Sequence, residues 1–519
     1  MQAASCTEVE KMASSTRDSR IHALAFPLPT QSRLNALSYL CETLTTAPHD
    51  AFFVTFLNIN AIQDRIVSLK EQLSCSSGGA DDVVDEGSCE IIRSVERYIC
   101  RASLPLPALD FKGLFNSTVQ NVMGAIGSAA PSVRELLQKM RQQTNPVQCI
   151  ISDICVFRPI MKAFETVDIP RVWLCNSSAS FLLFFHYVQE GILPLQEVME
   201  LNKNKRIPDT DIVFKEYVLS GLPSLAKVDL PHTPSLDEDS DNEDPFIYNI
   251  LIDNLRSTKE NGDCILINSF EDLEPEAFGA LRNLLSIPVY GVGPLQGISS
   301  SSLWKEDEEC LQWLDRQPSR SVVYISSGSL KLHSDEQVKE IGGAVLADNR
   351  HFLWSYRSES AADHDSASAR PSLPMDFLTR TGDRGRVVEW APQSRVLSHP
   401  SVGAFLTHCG WSSTMEAVTN GIPLICLPIF YDQFMDAKLA VDVWKMALRL
   451  ATNSRGVAEK EELRRAFSRL IDSDEGEKLR ANARTFQQRS QRAPLPGGTT
   501  YNDIQSFMKG LSQFVSQQV

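Results

Sequence analysis

The sequence predicts an α/β protein built from two facing, doubly wound Rossmann-like halves with a cleft between them. Three observations carry this. The chain has 519 residues, too many for one ordinary core and suited to two α/β domains. Its opening reads strand, loop, helix, strand. The same alternation then restarts beyond a stretch rich in Gly, Pro and Ser near residues 288–302.

The elements follow in chain order. Residues 1–18 are polar and read as a frayed lead-in. The apolar run Ile21–Phe26 is a buried strand closed by Pro27 and Pro29. Leu34, Leu37, Leu40, Cys41 and Leu44 then recur at helical spacing, and a second strand covers 51–57. Further strands are read at 149–154, 171–174 and 264–268. Residues 74–87 and the acidic run 235–244 read as solvated loops. After the linker come strands at 321–326, 352–356, 387–390, 404–407 and 424–427, with a helix at 334–347 and a polar loop at 358–372. The expected divisions are therefore a lead-in at 1–18, a first domain at 19–287, a linker at 288–302, a second domain at 303–490 and a closing segment at 491–519.

Composition narrows the function. Hydrophobic residues make up 43% and the formal net charge is −15, so nucleic acid and anionic membranes are poor partners. A bound phosphate must then be held locally, by backbone N–H groups and a few donors. The 12 cysteines are scattered, with no Cys-x-x-Cys and no zinc spacing, and read as small core residues in a reducing compartment. The first 18 residues carry no apolar signal run, and no stretch approaches a membrane span, so a cytoplasmic location is expected. No Gly-x-Gly-x-x-Gly follows the first strand and no P-loop is present, which argues against a dinucleotide dehydrogenase or a nucleotide triphosphatase.

The chemistry concentrates between Trp390 and Gln433. A strand ends in Trp390-Ala391, whose indole offers a flat face for a base. Another strand enters the turn Thr407-His408-Cys409-Gly410 and a helix start at Trp411-Ser412-Ser413-Thr414. Hydroxyl side chains at a helix start leave N–H groups free for an anion, and His408 beside them can donate to a phosphate oxygen. Glu416, one turn on, can accept from ribose hydroxyls. Asp432 and Gln433, beyond a later strand, can accept from and donate to sugar hydroxyls. Taken singly, each feature is ordinary packing or capping. Together they fit one nucleotide sugar laid along the carboxyl ends of strands.

This segment resembles the signature box of plant secondary-product UDP-glycosyltransferases, which ends in Asp-Gln. Similarity extends to 291–295, 304–318, 321–329, 352–357 and 497–501. The resemblance implies the two-domain GT-B fold and inverting transfer of a sugar from a UDP-sugar, with no metal and no cofactor. It implies an acceptor-binding first domain and a UDP-sugar-binding second domain. The closing segment 491–519 is then a helix returning to the first domain. By the same resemblance Trp390 stacks on uracil and the Ala391 backbone pairs with it. Gln393 and Glu416 hold the ribose, and Ser329, His408 and Ser413 hold the phosphates. Trp411, Asp432 and Gln433 hold the sugar. Position 412, commonly Asn in the family, is Ser here. The terminal Gln resembles members that use UDP-glucose, and the expected partners are that donor and a small-molecule acceptor.

One position departs from the family. Members carry a His in the loop after the first strand, commonly Gln-Gly-His-Ile-Asn-Pro, as general base toward the acceptor, with a carboxylate from another strand end to orient it. Here Gln31 and Asn35 align with the family's Gln and Asn, which places Arg33 in the His position. An alignment without insertion places Gln31 there. Neither side chain is a base at neutral pH. The carboxylate remains as Asp153, at the end of the 149–154 strand. Three readings follow: an acceptor already ionised, such as a carboxylate; a pseudo-enzyme that binds UDP-sugar while Arg33 pairs with Asp153; or a base recruited from another loop. His22 reads as structural, and Asn176 falls near a family Thr that contacts the sugar.

Overall fold

The computed structural model describes residues 20–46, 51–59, 99–104, 126–156, 158–193, 246–257, 263–296, 302–329, 333–357 and 376–517, with isolated positions at 49, 62, 124, 219–223, 225 and 373. The expected lead-in at 1–18 and the polar loops at 74–87, 235–244 and 358–372 lie outside the described residues.

Two parallel sheets form. The first holds seven strands in the order β3-β2-β1-β4-β5-β6-β7. These are β1 (Ile21–Phe26), β2 (Phe52–Ile59), β3 (Ile99–Leu104), β4 (Cys149–Asp153), β5 (Arg171–Cys175), β6 (Cys264–Ile267) and β7 (Val289–Gly291). The second holds six, in the order β10-β9-β8-β11-β12-β13. They are β8 (Val322–Ser326), β9 (His351–Ser355), β10 (Gly385–Val388), β11 (Val402–Thr407), β12 (Leu424–Cys426) and β13 (Ala447–Arg449). β1, β4, β5, β8 and β11 are buried along their whole length, as unbroken apolar runs in a two-faced parallel sheet require.

In each sheet the chain moves outward from a central strand, then returns to its other side. The reversal falls between β1 and β4 in the first sheet, with Phe26 beside Ser152. In the second it falls between β8 and β11, with Ser326 beside Thr407. Loops leaving the carboxyl ends on either side of such a reversal splay apart and open a crevice, where ligands of doubly wound sheets bind. The segments leaving these four strands contain Arg33, Asp153, Ser329 and His408.

The stretch 288–302 differs from the expected linker at its start. Val289–Gly291 pairs with β6 as the last strand of the first sheet, because Ile265, Leu266 and Ile267 offer it an open edge. The closing helix Thr499–Gln517 buries Ile504, Phe507, Met508, Leu511 and Val515 in the core of the first sheet. Phe507 stacks on Phe52 at 6.1 Å between centroids, and Asp503 accepts from the Gly291 N–H and from Arg282.

The halves meet through specific polar contacts. Trp411 Nε1 donates to the Asn268 carbonyl at 2.6 Å, and the Leu303 N–H donates to Gln31 Oε1 at 2.6 Å. Tyr431, from the second half, packs edge-on against Phe181 of the first at 4.8 Å. Cys41, Cys149, Cys155, Cys175, Cys264, Cys310, Cys409 and Cys426 are buried and form no disulfide.

Candidate active site

On the second-sheet side, the turn after β11 sets the site. Thr407 Oγ1 accepts from the Cys409 N–H, and Cys409 adopts left-handed backbone (φ 65°). That turn swings the chain into the helix Trp411–Asn420, whose first N–H groups lack intrahelical partners. His408 is 9% exposed and packs between two glycines. A Cβ at Gly328 or at Gly410 would lie 2.5 Å from its ring. Its Nδ1 has no partner among the described residues. Burial lowers the His408 pKa to about 4, only partly offset by the Ser326 carbonyl, so the ring is neutral at physiological pH.

Beside it, three expected residues form one cluster. Gln393 Nε2 donates to Ser413 Oγ at 2.9 Å and to Glu416 Oε2 at 2.6 Å, and Tyr324 O–H donates to Gln393 Oε1 at 3.2 Å. Burial pushes Glu416 up to about 7; the Gln393 bond works the other way. Trp390 is half-buried, with its ring 6.0 Å from that of Trp304, and its carbonyl accepts from the Asp307 N–H. Ala391 is buried beside it. The Arg357 guanidinium lies 4.0 Å over the Trp304 ring and donates to the Ser329 carbonyl at 2.7 Å, which ties the Ser329 loop to the Trp304–Trp390 pair.

The residues expected to meet the sugar separate in the structure. Asp432 follows Tyr431, another left-handed residue (φ 60°), and accepts from Ser177 Oγ of the first half at 2.8 Å. Burial pushes Asp432 up to about 6. Gln433 Oε1 is taken by the N–H groups of Ile429 and Phe430, and its amide NH₂ has no partner among the described residues. Ser412 lies opposite Asn176, whose Nδ2 reaches its Oγ at 3.4 Å. The Trp411 indole is different. It is 2% exposed, packs near Trp444 and spends its N–H on Asn268, so its side chain joins the two halves and only its backbone remains for a ligand.

On the first-sheet side, Arg33 and Asp153 meet. Arg33 is the third residue of the helix Gln31–Thr45, and its Nη1 lies 2.7 Å from both Asp153 oxygens. The Cys155 N–H also donates to Asp153 Oδ1 at 2.7 Å. Burial opposes the Arg33 charge, but the adjacent carboxylate more than offsets it and raises the guanidinium pKa. Gln31 points elsewhere: its amide donates to Asn35 and its carbonyl accepts from Leu303. Of the two candidates for the vacated His position, Arg33 is the one that reaches Asp153.

His22 is structural. Its ring nitrogens lie 2.9 Å from the Asn145 carbonyl and from Thr55 Oγ1. Phe181, Leu182, Phe184 and Phe185 are at most 1% exposed, so the apolar run on the helix Ala179–Gln189 is a buried face. Sequence reasoning missed Tyr324, Ser177, Trp304 and Arg357. Trp304 opens a segment already similar to the family, which was the available signal. Ser177 carries none.

Comparison with known proteins agrees with this geometry. Residues 295–480 match the family described as UDP-glucoronosyl and UDP-glucosyl transferase. UDP-glycosyltransferase 85A1 of Arabidopsis thaliana is 30% identical over 91% of this chain and 92% of its own length. Linamarin synthase 1 of Manihot esculenta is 30% identical over 94% and 96%. Among solved structures, Phytolacca americana UGT2 complexed with UDP-2-fluoro-glucose and pterostilbene superposes with a TM-score of 0.72. It is 27% identical, covering 95% of this chain and all of that one. Fold and site define a GT-B protein of the nucleotide-sugar transferase class. The chain belongs to the UDP-glucoronosyl and UDP-glucosyl transferase family, among the plant-type UDP-glycosyltransferases. No described helix is long and apolar enough to cross a membrane.

Proposed function

We propose that this chain transfers glucose from UDP-glucose to a small-molecule acceptor, with inversion at the anomeric carbon and without a metal or a histidine base. The reading rests chiefly on one observation: Gln393, Ser413 and Glu416 already form a connected hydrogen-bonded cluster beside Trp390. In this reading uracil stacks on Trp390 and pairs with the Ala391 backbone. The ribose replaces part of the bonding among Gln393, Glu416 and Ser413. The diphosphate lies against Ser329, neutral His408, Ser413 and the helix start at 411, whose free N–H groups and dipole meet its charge as it leaves. Asp432 and Gln433 take the glucose hydroxyls, with Ser412 beside them. In this reading donor binding belongs to 303–490 and acceptor binding to 19–287, in the cytoplasm. Titration with UDP and UDP-glucose tests the reading: micromolar or tighter binding supports it, and no binding of either ends it.

A second reading is favoured by the Arg33–Asp153 contact. Their 2.7 Å pairing occupies the carboxylate that would orient a base. A UDP-sugar-binding pseudo-enzyme would bind the donor yet form no product with any acceptor. An Arg33→His variant separates the two, since restored turnover with hydroxyl acceptors would show a transferase disabled at one position.

A further inference from the structure

The region around Arg33 is more specific than a simple loss of the base. Asp153 takes a hydrogen bond on both oxygens from Arg33 Nη1 and a third from the Cys155 N–H. Most of its acceptor capacity is used, and its side chain is 3% exposed. Arg33 is not fully committed. Among the described residues it donates through Nη1 alone, and its side chain retains 14% exposure. Its Nε–H and Nη2–H edge donates to no described residue. That edge carries two parallel N–H donors, the arrangement that grips a carboxylate in two-point fashion.

The location matters as much as the geometry. Arg33 lies at the β1/β4 reversal, and its helix neighbour Ser32 accepts from Asn176, which also reaches Ser412 at the donor-side helix start. Ser177, the next residue, bonds Asp432. Arg33 therefore sits next to the residues that join the two halves. A chain of net charge −15 repels small anions at long range, so an anionic substrate needs a local cation of this kind. For an alcohol or phenol in the same place, Arg33 is no base and the Asp153 carboxylate is taken up by the ion pair.

We propose that Arg33 anchors a carboxylate carried by the acceptor, so that this chain glucosylates small carboxylic acids and forms glucose esters. The proposal rests on the UDP-glucose transfer described above. A carboxylic acid has a pKa near ~4 and is ionised at neutral pH, so no base is required. One carboxylate oxygen attacks the anomeric carbon and forms the new C–O bond. The bond from that carbon to the β-phosphate oxygen breaks, and its electron pair leaves with UDP. No proton moves. Arg33 holds the carboxylate, and Asp153 fixes the guanidinium plane.

The test measures kcat/KM with UDP-glucose for matched pairs, benzoate against benzyl alcohol and cinnamate against cinnamyl alcohol. UDP affinity is titrated in parallel. The acids should be favoured at least tenfold, and their products should be cleaved by hydroxylamine, as esters are. Arg33→Gln should lower kcat/KM for the acids at least tenfold, mainly through KM, with the Kd for UDP unchanged. Arg33→Lys keeps the cation and guards against misfolding from an unpaired Asp153. It should retain part of the acid activity. Unchanged UDP binding together with transfer confined to alcohols would overturn the proposal. So would UDP-glucuronate binding that depends on Arg33, which would assign the carboxylate to the donor. UDP-glucose binding without any transfer would overturn it in favour of the pseudo-enzyme. Absence of UDP binding would instead remove the transferase reading beneath it.

Discussion

Ser177 Oγ donates to Asp432 Oδ2 at 2.8 Å, so a residue just after a strand of the first sheet bonds the acid of the Asp-Gln pair in the second half. This bond favours the ionised carboxylate, while burial pushes Asp432 up to about 6. Because the folded pKa is above the ordinary carboxylate value, Asp432 adds stability fully below about pH 4 and loses it as pH rises through about 6. Sugar binding runs the other way, since the glucose hydroxyls donate to the charged form. The ratio of UDP-glucose to UDP affinity should therefore rise through about pH 6. Ser177→Ala should move that rise to higher pH, in calorimetric titrations from pH 5 to 8. A ratio that ignores pH in both proteins would show that Asp432 does not meet the sugar.

Glu416 is expected to govern UDP itself. Its pKa is raised to about 7, so the ribose-accepting form gains population through neutrality and UDP affinity should strengthen from pH 6 to 8. Glu416→Gln should remove this pH dependence. It should also weaken UDP binding roughly tenfold or more, since a hydrogen bond to a charged group is worth about 1.5–3 kcal/mol. The same titration in the variant decides it.

Gly328→Ala should both strain the loop and displace His408. The residue has φ 80°, and its new methyl would sit 2.5 Å from the imidazole. Gly456→Ala is the matched control, with φ 76° and no atom within 4 Å. Both should lose about 1 kcal/mol to left-handed strain. Gly328→Ala alone should also lose UDP affinity, by tenfold or more. Equal UDP affinity in the two variants would mean that His408 does not contact the phosphates.

Phe507→Ala should destabilise the first half. Phe507 is 1% exposed, stacks on Phe52 and meets Tyr290 edge-on at 6.0 Å. Truncating a buried Phe typically costs about 3–5 kcal/mol. Urea unfolding should show an early transition of the first half, whereas UDP binding, seated in the second, should survive. A loss within about 0.5 kcal/mol would contradict the packing described.

Much of the fold was legible because parallel strands buried on two faces read as apolar runs, as at 21–26, 149–153 and 402–407. β3 was missed because Arg101 and Ser103 break its apolar pattern. β7 was missed because three residues inside a Gly- and Pro-rich stretch gain strand geometry from the neighbouring β6 edge. Within the site, Gln393, Ser413 and Glu416 converge because strand end and helix start fix them locally. Trp411 shows what motif spacing leaves out. The side chain of a residue inside the box turns into the domain contact, toward Asn268, which lies 143 positions away in the chain. Ser177 was invisible for the same reason, since its partner Asp432 lies in the other half.

The helix at 499–517 has a consequence for biosynthesis. Phe52 receives its cover from Phe507, which is made far later on the ribosome, so that flank of the first sheet cannot close until the helix at 499–517 has emerged. Until then the growing chain presents an uncovered aromatic edge. Holdase chaperones that recognise such edges should remain on the nascent protein until that helix has emerged.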